Sequence, residues 1–361
     1  MKRELTFVPT LKIHPSRLIT YNQVHWSPAP PTRDRAGIAG KQLVSIYKDG
    51  KWVEKEVSLS FLNSSRTGNG ELSAQAKKRL KLAIEYFLLL NKPVKGGTSY
   101  NGRHYTKKIT FITLTLPSKQ IHTDNEIKSK CLNQFLIEIS KYNYVSNYVW
   151  RSEYQKNGNI HFHILVNHYV CWRDLRYRWN RIINKLGYVD RYRENQKEWH
   201  SGGFKLRTEN LEKWNEKAQR KAYNEGIKTD WKSPNSTDIH SISNISNIKA
   251  YLTKYLTKSE QEKKANHVET LEEPLKTGRT WGASYVISNI KGAVTEIDSQ
   301  LEEHLKTLEE HYPNLIYKQD YFTIIDINIS TLEKLKMSGI TNLFYRYLLK
   351  EFHHSTQLQL N

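Results

Sequence analysis

The period of the apolar positions changes several times along the chain, and each change marks an element. "KKITFITLTLP" (107–117) is a β-branched run stopped by Pro117 and predicts a strand. "HTDNEIKSKCLNQFLIEISKY" (122–142) then puts Ile127, Cys131, Phe135 and Ile139 on one helical stripe, behind a Thr123-x-x-Glu126 capping box. Two further strand-like runs, "YVSNYVWRSEYQ" (144–155) and "NIHFHILVN" (159–167), meet at Asn157-Gly158, a junction tight enough for an antiparallel hairpin. A helix follows in "CWRDLRYRWNRIINKLG" (171–187). After a long intervening stretch, "TDIHSISN" (237–244) predicts a fourth strand leading into the helix "ISNIKAYLTKYLTK" (245–258). The order β-α-β-β-α, insert, β-α predicts an α+β fold: an antiparallel sheet with helices packed on one face and the other face open to a ligand.

The flanks differ in pattern. Residues 1–70 are Pro-rich and read as irregular, apart from a hairpin about Asp49-Gly50 in "QLVSIYKDGKWVEKEV" (42–57). "ELSAQAKKRLKLAIEYFLLL" (71–90) is an amphipathic basic helix with Leu72, Ala76, Leu80, Ile84 and Phe87 on its apolar stripe. Beyond residue 290 come an acidic helix (295–312), the strand-like "YFTIIDINI" (321–329) and a final helix. The expected organisation is an N-terminal accessory region (1–100), a central domain (101–290) with an insert at 168–235, and a C-terminal accessory region (291–361).

Charge narrows the class of partner. The 361 residues carry 56 Lys+Arg against 36 Asp+Glu, a formal net charge of +20, which suits a polyanion, nucleic acid before an anionic membrane. Cys131 and Cys171, the only two cysteines, form no CxxC pair, so neither a disulfide framework nor a cysteine zinc cluster is indicated. The N-terminus lacks an apolar signal core, and nowhere do about 18 apolar residues run together. A soluble protein of a reducing cytoplasm, without a membrane partner, is expected.

Within this frame two constellations carry chemistry. His161 and His163 alternate with Ile160, Phe162 and Ile164, so both imidazoles share one face of a strand otherwise destined for burial. Glu153 on the preceding strand reaches them only through a three-residue loop: a two-residue turn at Asn157-Gly158 would set it against Phe162 on the wrong face. With Lys156 and Asn157 in a type I turn and Gly158 at positive φ, Glu153 sits opposite His161. Two imidazoles, one carboxylate and open water positions suit Mn²⁺ or Mg²⁺, with Mn²⁺ the better match to nitrogen.

The second constellation is "YLTKYLTK". Y-x-x-x-Y occurs four times in the chain, but only Tyr251/Tyr255 has a Lys three residues after each Tyr, Lys254 and Lys258, on a convincing helix. Two phenols and two ammonium groups on one helix suit nucleophilic attack on a phosphodiester, the lysines offsetting developing charge. The stretch 168–232 between the two constellations holds 16 Lys/Arg against 9 Asp/Glu, interleaved with five Trp, five Tyr and one Phe. It suits a DNA clamp with Trp172, Arg173, Arg176, Arg178, Trp179 and Arg181 as contacts, or equally a basic structural insert.

Together, Glu153-x-x-x-Asn157-Gly158-x-x-His161-Phe162-His163, the upstream "FITLTLP" and the downstream Tyr251-x-x-Lys254-Tyr255-x-x-Lys258 resemble the three ordered motifs of rolling-circle replication initiators of the HUH endonuclease superfamily. The double tyrosine looks most like the initiators of small single-stranded-DNA phages. The resemblance covers about residues 105–290, with "GRTWGASYVIS" (278–288) as a less specific following segment. It implies an HUH/RRM-like palm, metal binding by His161, His163 and Glu153, and cleavage of single-stranded origin DNA by the tyrosines through a 5′-phosphotyrosine. Conjugative relaxases carry their Tyr upstream of a three-histidine motif; here it lies downstream. No G-x-x-x-x-G-K-[ST] loop is present, so the resemblance implies a host helicase and replication machinery as partners. A transposase with the same active site, or a non-catalytic nucleic-acid-binding module whose histidines hold a structural ion, would share these features; the oligomeric state is not legible.

Overall fold

A computed structural model describes residues 4–27, 41–48, 51–58, 72–91, 109–155, 157–212, 214–241 and 279–358. In chain order the elements are β1 (Glu4–His14), β2 (Arg17–Ser27), β3 (Lys41–Lys48), β4 (Lys51–Ser58), α1 (Ala74–Leu90) and β5 (Thr110–Leu114). Helix α2 (124–143), with a π-helical stretch at Ile127–Leu132, leads to β6 (Tyr148–Tyr154) and β7 (Ile160–Val166). Next are α3 (Trp172–Asn184), α4 (Tyr188–Trp199), α5 (Glu216–Thr229), β8 (Thr237–Ser241), β9 (Trp281–Ala283) and α6 (Tyr285–Asn289). The chain ends in β10 (Ala293–Glu296), α7 (Ser299–His311), β11 (Ile316–Lys318), β12 (Phe322–Ile325), α8 (Ile329–Lys334) and α9 (Ser338–Leu358). The expected α+β class holds.

Two compact units emerge, residues 67–288 and residues 1–66 with 289–361. The larger is built on an antiparallel sheet in the order β8-β5-β7-β6-β9. Helix α2 carries the chain from β5 to β6 across β7, so β5 and β6 run parallel and flank the strand that bears both histidines. Its start is the expected capping box: Thr123 accepts from the Glu126 N–H while Glu126 accepts from the Thr123 N–H. Ile127, Cys131, Phe135 and Ile139 are all buried, as their spacing requires.

One face of this sheet is the core. Ile112, Leu114, Trp150, Ile160, Phe162 and Ile164 pack there against Phe135 of α2 and Leu175, Trp179 and Ile183 of α3. The Trp179 ring meets Phe135 and Phe162 edge-on at centroid distances of 5.7 and 6.2 Å, a preferred geometry for aromatic quadrupoles. Since side chains alternate along β7, burying Phe162 here obliges His161 and His163 to face the other way.

The smaller unit departs from expectation. Residues 4–27, read as irregular, form two eleven-residue strands in a sheet ordered β10-β1-β2-β12-β11. Pro9 and Pro15 interrupt the pattern that would have betrayed them, and the neighbouring strands come from the far end of the chain, Thr10 pairing with Glu296. The hairpin about positions 49 and 50 forms as expected, Lys48 pairing with Lys51. Strand β9 is likewise absent from the sequence reading: three residues are too few to show a period.

Candidate metal centre

The hairpin β6–β7 sets the register of the site. Glu153 pairs with His161 and Tyr154 with Ile160. Beyond them the Gln155 N–H donates to the Asn159 carbonyl at 2.8 Å, and the Gly158 N–H to the Gln155 carbonyl at 2.9 Å, leaving three residues in the loop. Gly158 has φ +80°, a conformation open to glycine and strained for other L residues. The three-residue loop is thus realised, and Glu153 lies on the histidine face.

Three ligand atoms converge there. His161 Nε2 and His163 Nε2 are 2.9 Å apart, and Glu153 Oε2 lies 3.7 and 3.8 Å from them. Two ligands each about 2.1 Å from one ion can be at most about 4.2 Å apart, so all three separations fit a single divalent cation. The donor set of two imidazole nitrogens and one carboxylate oxygen suits a borderline or hard divalent ion. Among the described residues this is the one group of three or more His, Cys, Asp or Glu side chains so converged.

Neighbouring strands orient these ligands. Thr113 on β5 pairs with His163, and its hydroxyl lies 3.2 Å from His163 Nδ1, which turns Nε2 toward Glu153. Phe111 stacks on the same imidazole with centroids 5.3 Å apart. On β6, Arg151 pairs with His163, and its Nη1 lies 3.2 Å from Glu153 Oε1. The carboxylate is therefore divided, Oε1 toward Arg151 and Oε2 toward the histidines. Both partners of this ion pair are buried, Arg151 at 3% and Glu153 at 5% side-chain exposure, where an unpaired charge would be costly. Sequence reasoning missed Arg151 and Thr113; the available signal was that Arg151 lies two residues from Glu153 on one strand, hence on its face.

The expected DNA contacts divide. Trp172 is exposed at the start of α3, with the Arg173 and Arg176 guanidinium groups 5.3 and 5.1 Å from its ring centre. Arg178 and Arg181 instead converge on Glu138 of α2, at 3.5 and 2.5 Å. Burial alone would raise the Glu138 carboxyl pKa; the Arg181 hydrogen bond outweighs it, and the pKa is lowered. Trp179 corrects the reading: it is fully buried, its indole N–H donates to the Thr115 carbonyl at 2.8 Å, and no base can reach its ring. Tyr251, Lys254, Tyr255 and Lys258 lie outside the described residues.

With this geometry in place, the comparison with known families is decisive. Residues 109–260 match the family model of the replication-associated protein ORF2. The recognition read from the motifs is borne out. The replication-associated domain so matched contains Glu153, His161 and His163 as well as the stretch from Tyr251 to Lys258. Its two-tyrosine character is a finer matter than the family match. No curated protein and no solved structure matches the chain. No helix among the described residues is long and apolar enough to cross a membrane.

Proposed function

We propose that the protein is a metal-dependent, sequence-specific single-strand DNA endonuclease and ligase that starts rolling-circle replication. The observation that carries this reading is the convergence of Glu153, His161 and His163 on the sheet face opposite the helix-covered core, inside the replication-associated match. A divalent ion held there, Mn²⁺ or Mg²⁺, would act as a Lewis acid toward a scissile phosphate.

The chain's own groups do the rest. The phenolic oxygen of Tyr251 or Tyr255 attacks the phosphorus, the bond to the 3′ oxygen breaks, and the strand is held as a 5′-phosphotyrosine. The 3′ oxygen takes up a proton and leaves as the hydroxyl that primes synthesis. After one circuit the second tyrosine cuts the regenerated site, and the new 3′-OH attacks the first phosphotyrosine, restoring the phenol and closing a circle. Lys254 and Lys258 offset charge developing on the phosphate oxygens. Each step exchanges one phosphoester for another, so no energy cofactor enters. Trp172, Arg173 and Arg176 contribute nucleic-acid affinity. Unwinding comes from a host helicase, and the setting is a bacterial cytoplasm.

Incubation with Mn²⁺ and a pool of single-stranded oligonucleotides tests the reading. An SDS-resistant protein–DNA adduct is expected. His161→Ala and His163→Ala should abolish it while leaving DNA affinity largely intact, since affinity comes mainly from Lys and Arg. Equal loss of binding and cleavage would make the histidines structural.

A further inference from the structure

The insert between the two motifs builds a surface that the nicking reading does not use. A groove of about 500 Å³ opens beside the tip of the β6–β7 hairpin, between Asn157 and Asn159 on one wall and Tyr192, Gln196 and Trp199 of α4 on the other, with Lys119 and Arg207 at its rim. A second groove, of about 610 Å³, adjoins it through the shared residues Asn195 and Trp199 and runs along the loop from Ser201 to Lys205. Asn159 is two residues from His161, about 6.6 Å of strand rise. The track therefore begins next to the metal ligands.

Its walls are set by the fold. Asn159 is locked, donating to the Ser118 carbonyl at 2.8 Å and accepting from the Gln120 N–H at 2.8 Å. The loop after α4 is clamped by the buried Gln219 of α5, which accepts from the Arg207 N–H at 2.9 Å and donates to the Arg207 carbonyl at 3.0 Å. His200 stacks in parallel on Trp231, with centroids 6.2 Å apart, fixing the same loop from below. Lys205 and Arg207 lie against the Trp199 ring at 4.2 and 4.8 Å, so an aromatic platform presents two cations along the track.

Groups without work in the fold face this space. The side-chain amides of Asn195 and Gln196 make no hydrogen bond among the described residues, and Lys119 makes no ion pair there. Glu198 is the single carboxylate among the lining residues of both grooves. Free amides donate and accept together, which matches the edge of a nucleobase, but only one that is unpaired and turned out of a stack. Cations at the rim match the phosphates between such bases.

We propose that these adjoining grooves form a track for unpaired nucleotides of the DNA strand flanking the scissile phosphate, with Gln196 and Asn195 reading base edges and Lys119 and Arg207 holding the backbone. The assignment rests on the single-strand nicking reading, yet it is tested apart from it. The full chain is bound in EDTA, where no cleavage occurs, to a single-stranded oligonucleotide carrying 5-iodouracil, then irradiated and mapped by mass spectrometry. Cross-links are expected at Tyr192 or Trp199. In anisotropy titrations, Lys119→Ala and Arg207→Gln should each weaken binding roughly threefold to tenfold and lower the log–log salt slope by about 0.7 per lost phosphate contact. Gln196→Ala should narrow the spread of affinities among oligonucleotides of different sequence without changing that slope. Mn²⁺ binding, measured in parallel, should be unaltered in all three variants, which also certifies their folding. Cross-links confined to other surfaces, salt slopes unchanged in both cation variants, or equal protection by duplex DNA would each overturn the track. Cross-links in the grooves without any Mn²⁺-dependent adduct would instead sustain the track and remove the nickase.

Discussion

Glu153 and His161 face each other across the β6–β7 hairpin, Glu153 Oε2 standing 3.7 Å from His161 Nε2. The pairing depends on the number of residues in the loop, because a strand's side chains change face at every position. Gly158 is what lets three residues close that loop.

Replacement of Gly158 therefore strains the turn. A Cβ at this position meets nothing within 4 Å, so the cost is backbone strain and not collision. Gly158→Val should lower unfolding free energy by about 1–2 kcal/mol in urea denaturation, and Gly158→Asn by less, since Asn tolerates positive φ. Equal stability of the Val variant would mean that the loop takes another form.

Arg151 is expected to matter twice. Removing it leaves the Glu153 carboxylate buried with one oxygen deprived of its 3.2 Å partner. Arg151→Met should cost about 3–5 kcal/mol in the metal-free protein and weaken Mn²⁺ binding, while Arg151→Met with Glu153→Leu should recover most of the stability and none of the metal binding. Denaturation curves and calorimetry on the single and double variants check both halves.

The insert has its own acid sensitivity. Asp230 ends α5 and takes hydrogen bonds from Lys197 and Arg193 of α4, which lower its carboxyl pKa from 3.8 to about 2. A carboxyl with depressed folded-state pKa stabilises above its unfolded value, and that contribution is lost as pH falls through the folded one. The stability difference between wild type and Asp230→Asn should be constant above about pH 5 and shrink between about pH 4 and 2, as read from thermal unfolding at a series of pH values. A difference independent of pH would leave the ion pairs without influence.

Tyr251 and Tyr255 are expected to alternate as nucleophiles. Each single Phe variant should retain some adduct on a short oligonucleotide, since the two phenols of a helix at i and i+4 share a face. The double variant should retain none, and circle formation in a replication assay should suffer in either single variant. One variant losing all adduct while the other circularises normally would reduce the catalytic set to one tyrosine.

Much of the central domain was legible because its signals are local. The capping box at Thr123, the stripe through Phe135 and the alternation about Phe162 each prescribe a face within a few residues, and the hairpin loop prescribes the register. Arg151 and Thr113 were not legible as part of the centre, because their roles come from cross-strand neighbours and their own positions look like ordinary strand polar sites. Trp179 misled through company: it sits among arginines, yet it falls on the stripe of Leu175, Ile182 and Ile183 that faces the core. Trp172, seven residues earlier, stays exposed because it begins the helix. Strands β1 and β2 escaped notice because prolines interrupt them and their partners β10 and β12 lie at the opposite end of the chain.

The central claim, that one divalent ion is held by Glu153, His161 and His163, is tested most directly by calorimetric titration of the full chain with Mn²⁺. The account predicts one high-affinity ion per chain, weakened at least about tenfold in each of Glu153→Ala, His161→Ala and His163→Ala with the fold retained by circular dichroism. Undiminished Mn²⁺ affinity in all three variants, or no binding to the wild type, would contradict it.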